Sequence, residues 1–215
     1  MADLANAVPG ALSPIESSDC GAWSFSFLSS GIEAIFGFSP DQVFKDPVVL
    51  RQCMLGEDLP GYDRANVVAF ESLSALDYEY RVTTRSGEFR WVGVRAVPRR
   101  IDDSAFTWSG IMLDITERKM TEEALVTSET RFRAVFEAVP EGIVLRDRLG
   151  KVRDPNPAAL QILHTSSTEL MNTPAMHPLF DAIGTDGLPI SPGEHPGLAA
   201  LQNGQRAEGK ILGFS

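Results

Sequence analysis

Residues 76–119 read LDYEYRVTTRSGEFRWVGVRAVPRRIDDSAFTWSGIMLDITERK, and the fold is decided there. Residues 76–84 (LDYEYRVTT), 88–97 (EFRWVGVRAV) and 105–113 (AFTWSGIML) are rich in aromatic and β-branched side chains with a period near two. That is the signature of a strand. Ser86 and Gly87 predict a two-residue turn between the first pair, glycine supplying the positive φ. Such a turn puts Tyr78, Tyr80 and Val82 on one face with Phe89, Trp91 and Gly93. It puts Glu79, Arg81, Thr83 and Arg85 on the other with Arg90, Val92 and Val94. Asp102 and Asp103 predict a second turn, and the three strands an antiparallel meander ending at Asp114, Ile115 and Thr116. Residues 117–137 contain neither Gly nor Pro and are dominated by Glu, Arg, Lys and Ala, which predicts a helix.

Outward from this stretch, 215 residues suffice for one large domain or two of ordinary size. A hydrophobic content of 43% and a charged content of 22% are those of a soluble globular chain. The formal net charge of −10 argues against a nucleic-acid surface. No Lys or Arg precedes Lys45, which predicts neither a signal peptide nor a transit peptide. No apolar run approaches the roughly 20 residues needed to cross a bilayer. Cys20 and Cys53 lack metal or CxxC spacing and read as reduced thiols. Together these features predict a cytoplasmic chain without membrane contact.

Residues 1–18, small, polar and punctuated by Pro9 and Pro14, read as a flexible leader. Trp23, Phe25 and Phe27 alternate with serines, which predicts a short strand. A helix over 31–36 follows, ended by Gly37. Another begins at Ser39-Pro40, and a third is expected over 63–72. In the 117–137 helix, Leu125, Phe132 and Val139 fall at seven-residue spacing, a heptad seam interrupted by Thr121 and Ser128. After Pro140 a second cycle starts. Residues 142–145, a turn at 148–151 and Val152 predict a hairpin, and Asp154-Pro155-Asn156-Pro157 opens a helix reaching about Leu163.

These pieces carry a family resemblance. Tyr-Glu-Tyr-Arg at 78–81, Ser-Gly-Glu-Phe-Arg-Trp-Val at 86–92 and Asp-Ile-Thr-Glu-Arg-Lys at 114–119 resemble the C-terminal half of a PAS sensory domain with its PAC motif. Ser86 stands where the family usually has Asp. Gly56-Glu57-Asp58-Leu59-Pro60 is similar to the family's H-P-E-D loop, and residues 141–163 resemble the start of a second PAS unit, with His164 in place of the closing glycine. Residues 184–204 resemble an inserted loop and helix of bacterial signalling PAS domains. The resemblance implies an α+β fold: an antiparallel sheet flanked by short helices, in one nearly complete unit and one partial unit. It divides the chain into a leader (1–18), a first PAS domain (19–116), a signalling helix (117–137) and a second PAS domain (138–215) truncated before its last strands.

No enzyme motif is present: there is no P-loop, no G-x-S-x-G, no zinc signature and no GxGxxG. His177 and His195 precede prolines and read as loop residues. None of the three histidines matches the family's haem ligand, and Cys53 lacks its flavin-reactive segment. The cofactor is left open, with neither haem nor flavin favoured. Tyr80, Trp91 and Trp108 are candidates to line a small-molecule pocket, against the simpler reading of core or interface. Asn156 and His164 are the corresponding candidates in the second unit. The resemblance makes Asp114, Ile115 and Thr116 the relay from sheet to helix, Asp114 pairing with Arg81 or Arg90, against the plainer reading of a helix cap. Leu125, Phe132 and Val139 would form a homodimer seam. The implied function is sensory input to a histidine kinase or diguanylate cyclase outside this chain, two-component systems included. The alternative is a ligand-free dimerisation or protein-docking module.

Overall fold

The computed structural model describes residues 11–18, 23–101, 105–172, 182–190, 200, 204 and 213–214. The chain divides into two units, Met1–Leu125 and Val126–Ser215. In the first, strands β1 (Ala11–Ser18), β2 (Trp23–Phe25), β3 (Leu76–Thr83), β4 (Phe89–Arg100) and β5 (Ala105–Asp114) form one antiparallel sheet in the order β2-β1-β5-β4-β3. Helices α1 (Gly31–Phe36), α2 (Pro40–Lys45), α3 (Val48–Cys53) and α4 (Leu59–Ser72) lie between β2 and β3 in the chain. They bury Ile32, Ile35, Phe36, Val43, Leu50 and Ala69 against Leu76, Tyr80, Val82, Val92, Val94, Ala96 and Met112 of the sheet. This is the α+β architecture expected from the pattern.

Local chemistry explains the short helices. Ser39 caps α2 in a capping box with Gln42, and Pro40 occupies the first turn where its missing N–H costs nothing. Gly37 ends α1 at φ 81° and donates its N–H to the carbonyl of Glu33. Helix α4 begins at Leu59, earlier than the expected residue 63, because Pro60 can occupy its first turn.

Two expectations are corrected here. Residues 11–18 are a strand, paired along their whole length with β5, rather than a leader; residues 1–10 lie outside the described residues. Leu12 and Ile15, three apart and set among Ala, Ser, Pro and Glu, give this strand no period-two signature, and backbone pairing defines it. Pro14 is tolerated because β2 pairs only with Ile15–Ser17, leaving β1 a single partner strand at Pro14. The second correction is the β3–β4 register, which is shifted by one residue. Thr83 faces Phe89 and Tyr80 faces Val92. The turn has three residues, Arg85 to Gly87, closed by bonds from Thr84 N–H to the Glu88 carbonyl (2.8 Å) and from Gly87 N–H to the Thr84 carbonyl (2.9 Å). The Thr84 hydroxyl accepts from the Glu88 N–H at 3.1 Å and fixes that loop length. A one-residue slip exchanges every facing pair. Leu76, Tyr78, Tyr80 and Val82 therefore share the inner face with Val92, Val94 and Ala96, and Trp91 lies on the outer face with Glu79, Arg81 and Gly93.

Helix α5 (Thr116–Ala138) follows β5 and runs on into the second unit. That unit contains the hairpin β6 (Val144–Arg146) and β7 (Val152–Pro155), helices α6 (Pro157–Ile162) and α7 (Ser167–Asn172), and a short pairing of β8 (Ala182–Ile183) with β9 (Gly213–Phe214). Asp147 builds the hairpin turn by accepting from the N–H groups of Leu149 and Lys151, and Gly150 supplies φ 80°. Phe136, Val152, Ala159 and Leu170 are its buried apolar side chains among the described residues. His177, His195 and most of 184–204 lie outside the described residues.

Candidate functional site

The strand–helix junction is built around the backbone of Trp91. The Ile115 N–H donates to the Trp91 carbonyl at 2.9 Å, and the Trp91 N–H donates to Thr116 Oγ1 at 3.0 Å. The Thr116 hydroxyl in turn donates to Asp114 Oδ1, which also accepts the Thr116 N–H at 2.9 Å. One side chain thus covers an orphan donor of the helix start while another locks it to β4. Asp114 Oδ2 accepts from Arg90 at 3.4 Å. Arg90 also donates to the carbonyls of Ala34 and Ile35 near the end of α1, where the helix dipole favours a cation. The three residues Asp114, Ile115 and Thr116 are therefore brought together, and Arg90 rather than Arg81 is the basic partner.

On the outer face, Glu79 accepts from Arg118 Nη2 and Lys119 Nζ, both at 2.5 Å. Those two cations hold its carboxyl below the ordinary range, Lys119 contributing most. The Lys119 ammonium lies 5.1 Å from the centre of the Trp91 ring, and the Arg81 guanidinium 5.8 Å. Gly93 faces Ile115; a Cβ there would meet Ile115 Cδ1 and Cγ2 at 3.4 Å. The first turns of α5 are thus seated on the outer face of β3 and β4. Trp91 belongs to this seat and not to an inner pocket, a direct consequence of the register. The sequence did not single out Glu79 or Lys119; the E-Y-R and T-E-R-K motifs that contain them were the available signal.

Tyr80 and Trp108 do lie on the inner face. Tyr80 is buried, its ring centre 5.3 Å from that of Tyr62 on α4, and its hydroxyl reaches only the Met112 thioether at 4.0 Å. Burial pushes the Tyr80 and Tyr62 hydroxyls and the Cys53 thiol up. Tyr62 also meets Tyr78 edge-on at 5.9 Å, and the Tyr78 hydroxyl sits where a Cβ on Gly61 would be. Chemically this is an apolar wall with a hydroxyl donor that a ligand acceptor could engage. Tyr62 and Tyr78 were not picked out in sequence, because a tyrosine on a helix or strand carries no sign of what it will face.

In the second unit the two pocket candidates separate. Asn156 is fully buried and every polar atom of its side chain is bonded within the protein, so it has nothing left for a ligand. His164 is exposed at φ 48°, taking the left-handed position after α6 that a glycine would fill. On α5, Leu125, Phe132 and Val135 are more than half exposed, while Val139, the first residue past its end, is half-buried. No helix among the described residues is long and apolar enough to cross a membrane, and these residues contain no cluster of metal-ligating side chains.

Residues 25–112 match the family described as PAS fold, and residues 130–191 the family described as PAS domain. A methyl sulfide methyltransferase-associated sensor of Methanosarcina acetivorans is 34% identical over 131 residues, which is 59% of this chain and 12% of that protein. A blue-light-activated histidine kinase of Brucella anthropi is 27% identical over 152 residues, 67% of this chain and 30% of that protein. This chain thus spans less than a third of either curated relative. Among solved structures, a sensory box histidine kinase/response regulator of Burkholderia thailandensis aligns with TM-score 0.48 and 26% identity, over 61% of this chain and 97% of that one.

Proposed function

This chain belongs to the PAS family, and from that premise we propose that it is the sensory input region of a bacterial signalling protein. A small ligand or protein partner biases the first unit, and the junction at Asp114–Thr116 passes that bias to α5. The output domain, a histidine kinase or a diguanylate cyclase, lies outside this chain and is reached in the cytoplasm. The chain works as a homodimer through α5 and PAS surfaces, and no catalytic step is assigned to it. Relay of this kind requires that ligand or partner bind two arrangements of the unit with different affinity.

What carries the reading is a single connected set of bonds. It runs from the α1 carbonyls through Arg90 to Asp114, then through Thr116 to the Trp91 backbone and the first turn of α5. A plain helix cap would need only the Asp114–Thr116 contact. The test is hydrogen exchange at residues 117–125 in the parent chain and in Asp114→Ala, Thr116→Ala, each with and without the core change Val82→Ala. The core change raises exchange there in the parent and has no further effect in the double variant. Equal increments in both backgrounds would reduce the junction to a cap.

Exposed apolar residues on the outer side of β4, Phe89 and Val97, favour the second reading, a docking module that takes a protein rather than a small molecule. Native mass spectrometry separates the two. A mass released only on denaturation, and diminished by Tyr80→Phe, belongs to the ligand reading.

A further inference from the structure

The C-terminal end of α5 carries a deficit that its own sequence creates. In an α-helix the carbonyl of Phe136 would accept from the N–H of residue 140. That residue is Pro140, which has no N–H. The orphan carbonyl belongs to the one buried residue of the helix, where an unpaired acceptor is costly. Asn156 Nδ2 supplies the missing donor at 3.1 Å. The same amide group donates to the Glu141 carbonyl at 2.9 Å and lies 3.3 Å from that of Val139. Its oxygen accepts from the Ile143 N–H and from the Ala159 N–H, both at 2.8 Å, the second being the N-cap bond of α6. Both amide protons and both oxygen lone pairs are engaged. A Cβ on Gly142 would stand 3.1 Å from Ala159 Cα, so chain and helix meet closely beside this side chain.

We propose that Asn156 is a positioning residue that clasps the end of α5 to the start of α6, so that a change in the helix is read directly by the second unit. Neither Asp nor Ser does both parts. Asp keeps the two acceptors but turns a carboxylate oxygen toward the carbonyls. Ser caps α6 and is too short to reach Phe136. The inference stands apart from the relay at Asp114–Thr116, because it concerns only what happens beyond Leu125.

The test is hydrogen exchange on the full chain. Asn156→Asp, which loses the Nδ2 bonds to the Phe136 and Glu141 carbonyls, should raise exchange at residues 132–141 by about tenfold or more, while residues 157–163 keep their cap and change less than about threefold. A second comparison asks for transmission. Ser128→Gly loosens the middle of the helix and should raise exchange at 157–163 in the parent, with no such rise in the Asn156→Asp background. Equal rises in both segments on Asn156→Asp would make Asn156 a fold residue only and overturn the proposal. So would an effect of Ser128→Gly that is absent from the parent or survives in Asn156→Asp. Should Asn156→Asp fail to fold, Asn156→Ser, which retains the cap and loses the clasp, takes its place in both comparisons with the same outcomes.

Discussion

Arg81 grips the carboxylate of Asp58 in fork geometry, at 2.6 and 3.0 Å, and its own N–H adds a third bond at 2.8 Å. The side-chain bonds to Arg81 hold Asp58 below the ordinary carboxylate range. A carboxyl depressed in the folded state stabilises the fold in full above its unfolded pKa, about 3.9, and loses that contribution as pH falls through the lower folded value. Asp58→Asn should therefore lower Tm at neutral pH and leave a shallower acid limb in Tm against pH. A parallel, unflattened acid limb would mean the pair is not linked to folding. Trp91 shows what a residue's neighbours can and cannot announce. Its place in a strand was legible from alternation, but its face depended on turn length, which the Thr84 hydroxyl sets through a contact four residues away. Reading Ser86-Gly87 as a two-residue turn put Trp91 with Tyr80; the three-residue turn puts it under Lys119.

Elements with a strong local signal were found where expected. β3 and β5, the α2 cap and the Gly-free, Pro-free α5 each follow from side chains within a few residues. β1 was not found, because a strand with only Leu12 and Ile15 as large apolar residues, three apart and interrupted by Pro14, owes its existence to β5, more than 85 residues on. The same contrast separates the two units. Among the described residues the first unit pairs five strands, whereas β6–β7 and β8–β9 are two-stranded, and isolated two-stranded ladders are marginal on their own. Residues 144–155 should exchange amide hydrogens faster than residues 76–83 and 89–97. Equal protection would contradict this expectation and show that β6 and β7 are held by pairing beyond that hairpin.

For the whole molecule, the family and its fold were legible because three short motifs stand in order, whereas the residues that build the scaffold name no ligand and no effector. In the proposed homodimer, assembly would depend on the exposed stripe of α5. Leu125 and Phe132 are 68% and 53% exposed, a cost that a second copy would relieve. Leu125→Glu with Phe132→Glu should convert a dimer to a monomer in sedimentation velocity without altering circular dichroism. An unchanged mass would place the dimer contact elsewhere. The central claim, that the first unit moves this helix through Asp114 and Thr116, is tested most directly by a spin–spin distance across the dimer. The label is placed at Val126→Cys in a chain whose Cys20 and Cys53 are serine, and the first unit is disturbed by Val82→Ala, a core change on the sheet's inner face. The account predicts that the distance shifts in this parent and stays fixed when Asp114 and Thr116 are alanine. No shift in the parent, or the same shift in both, would contradict it.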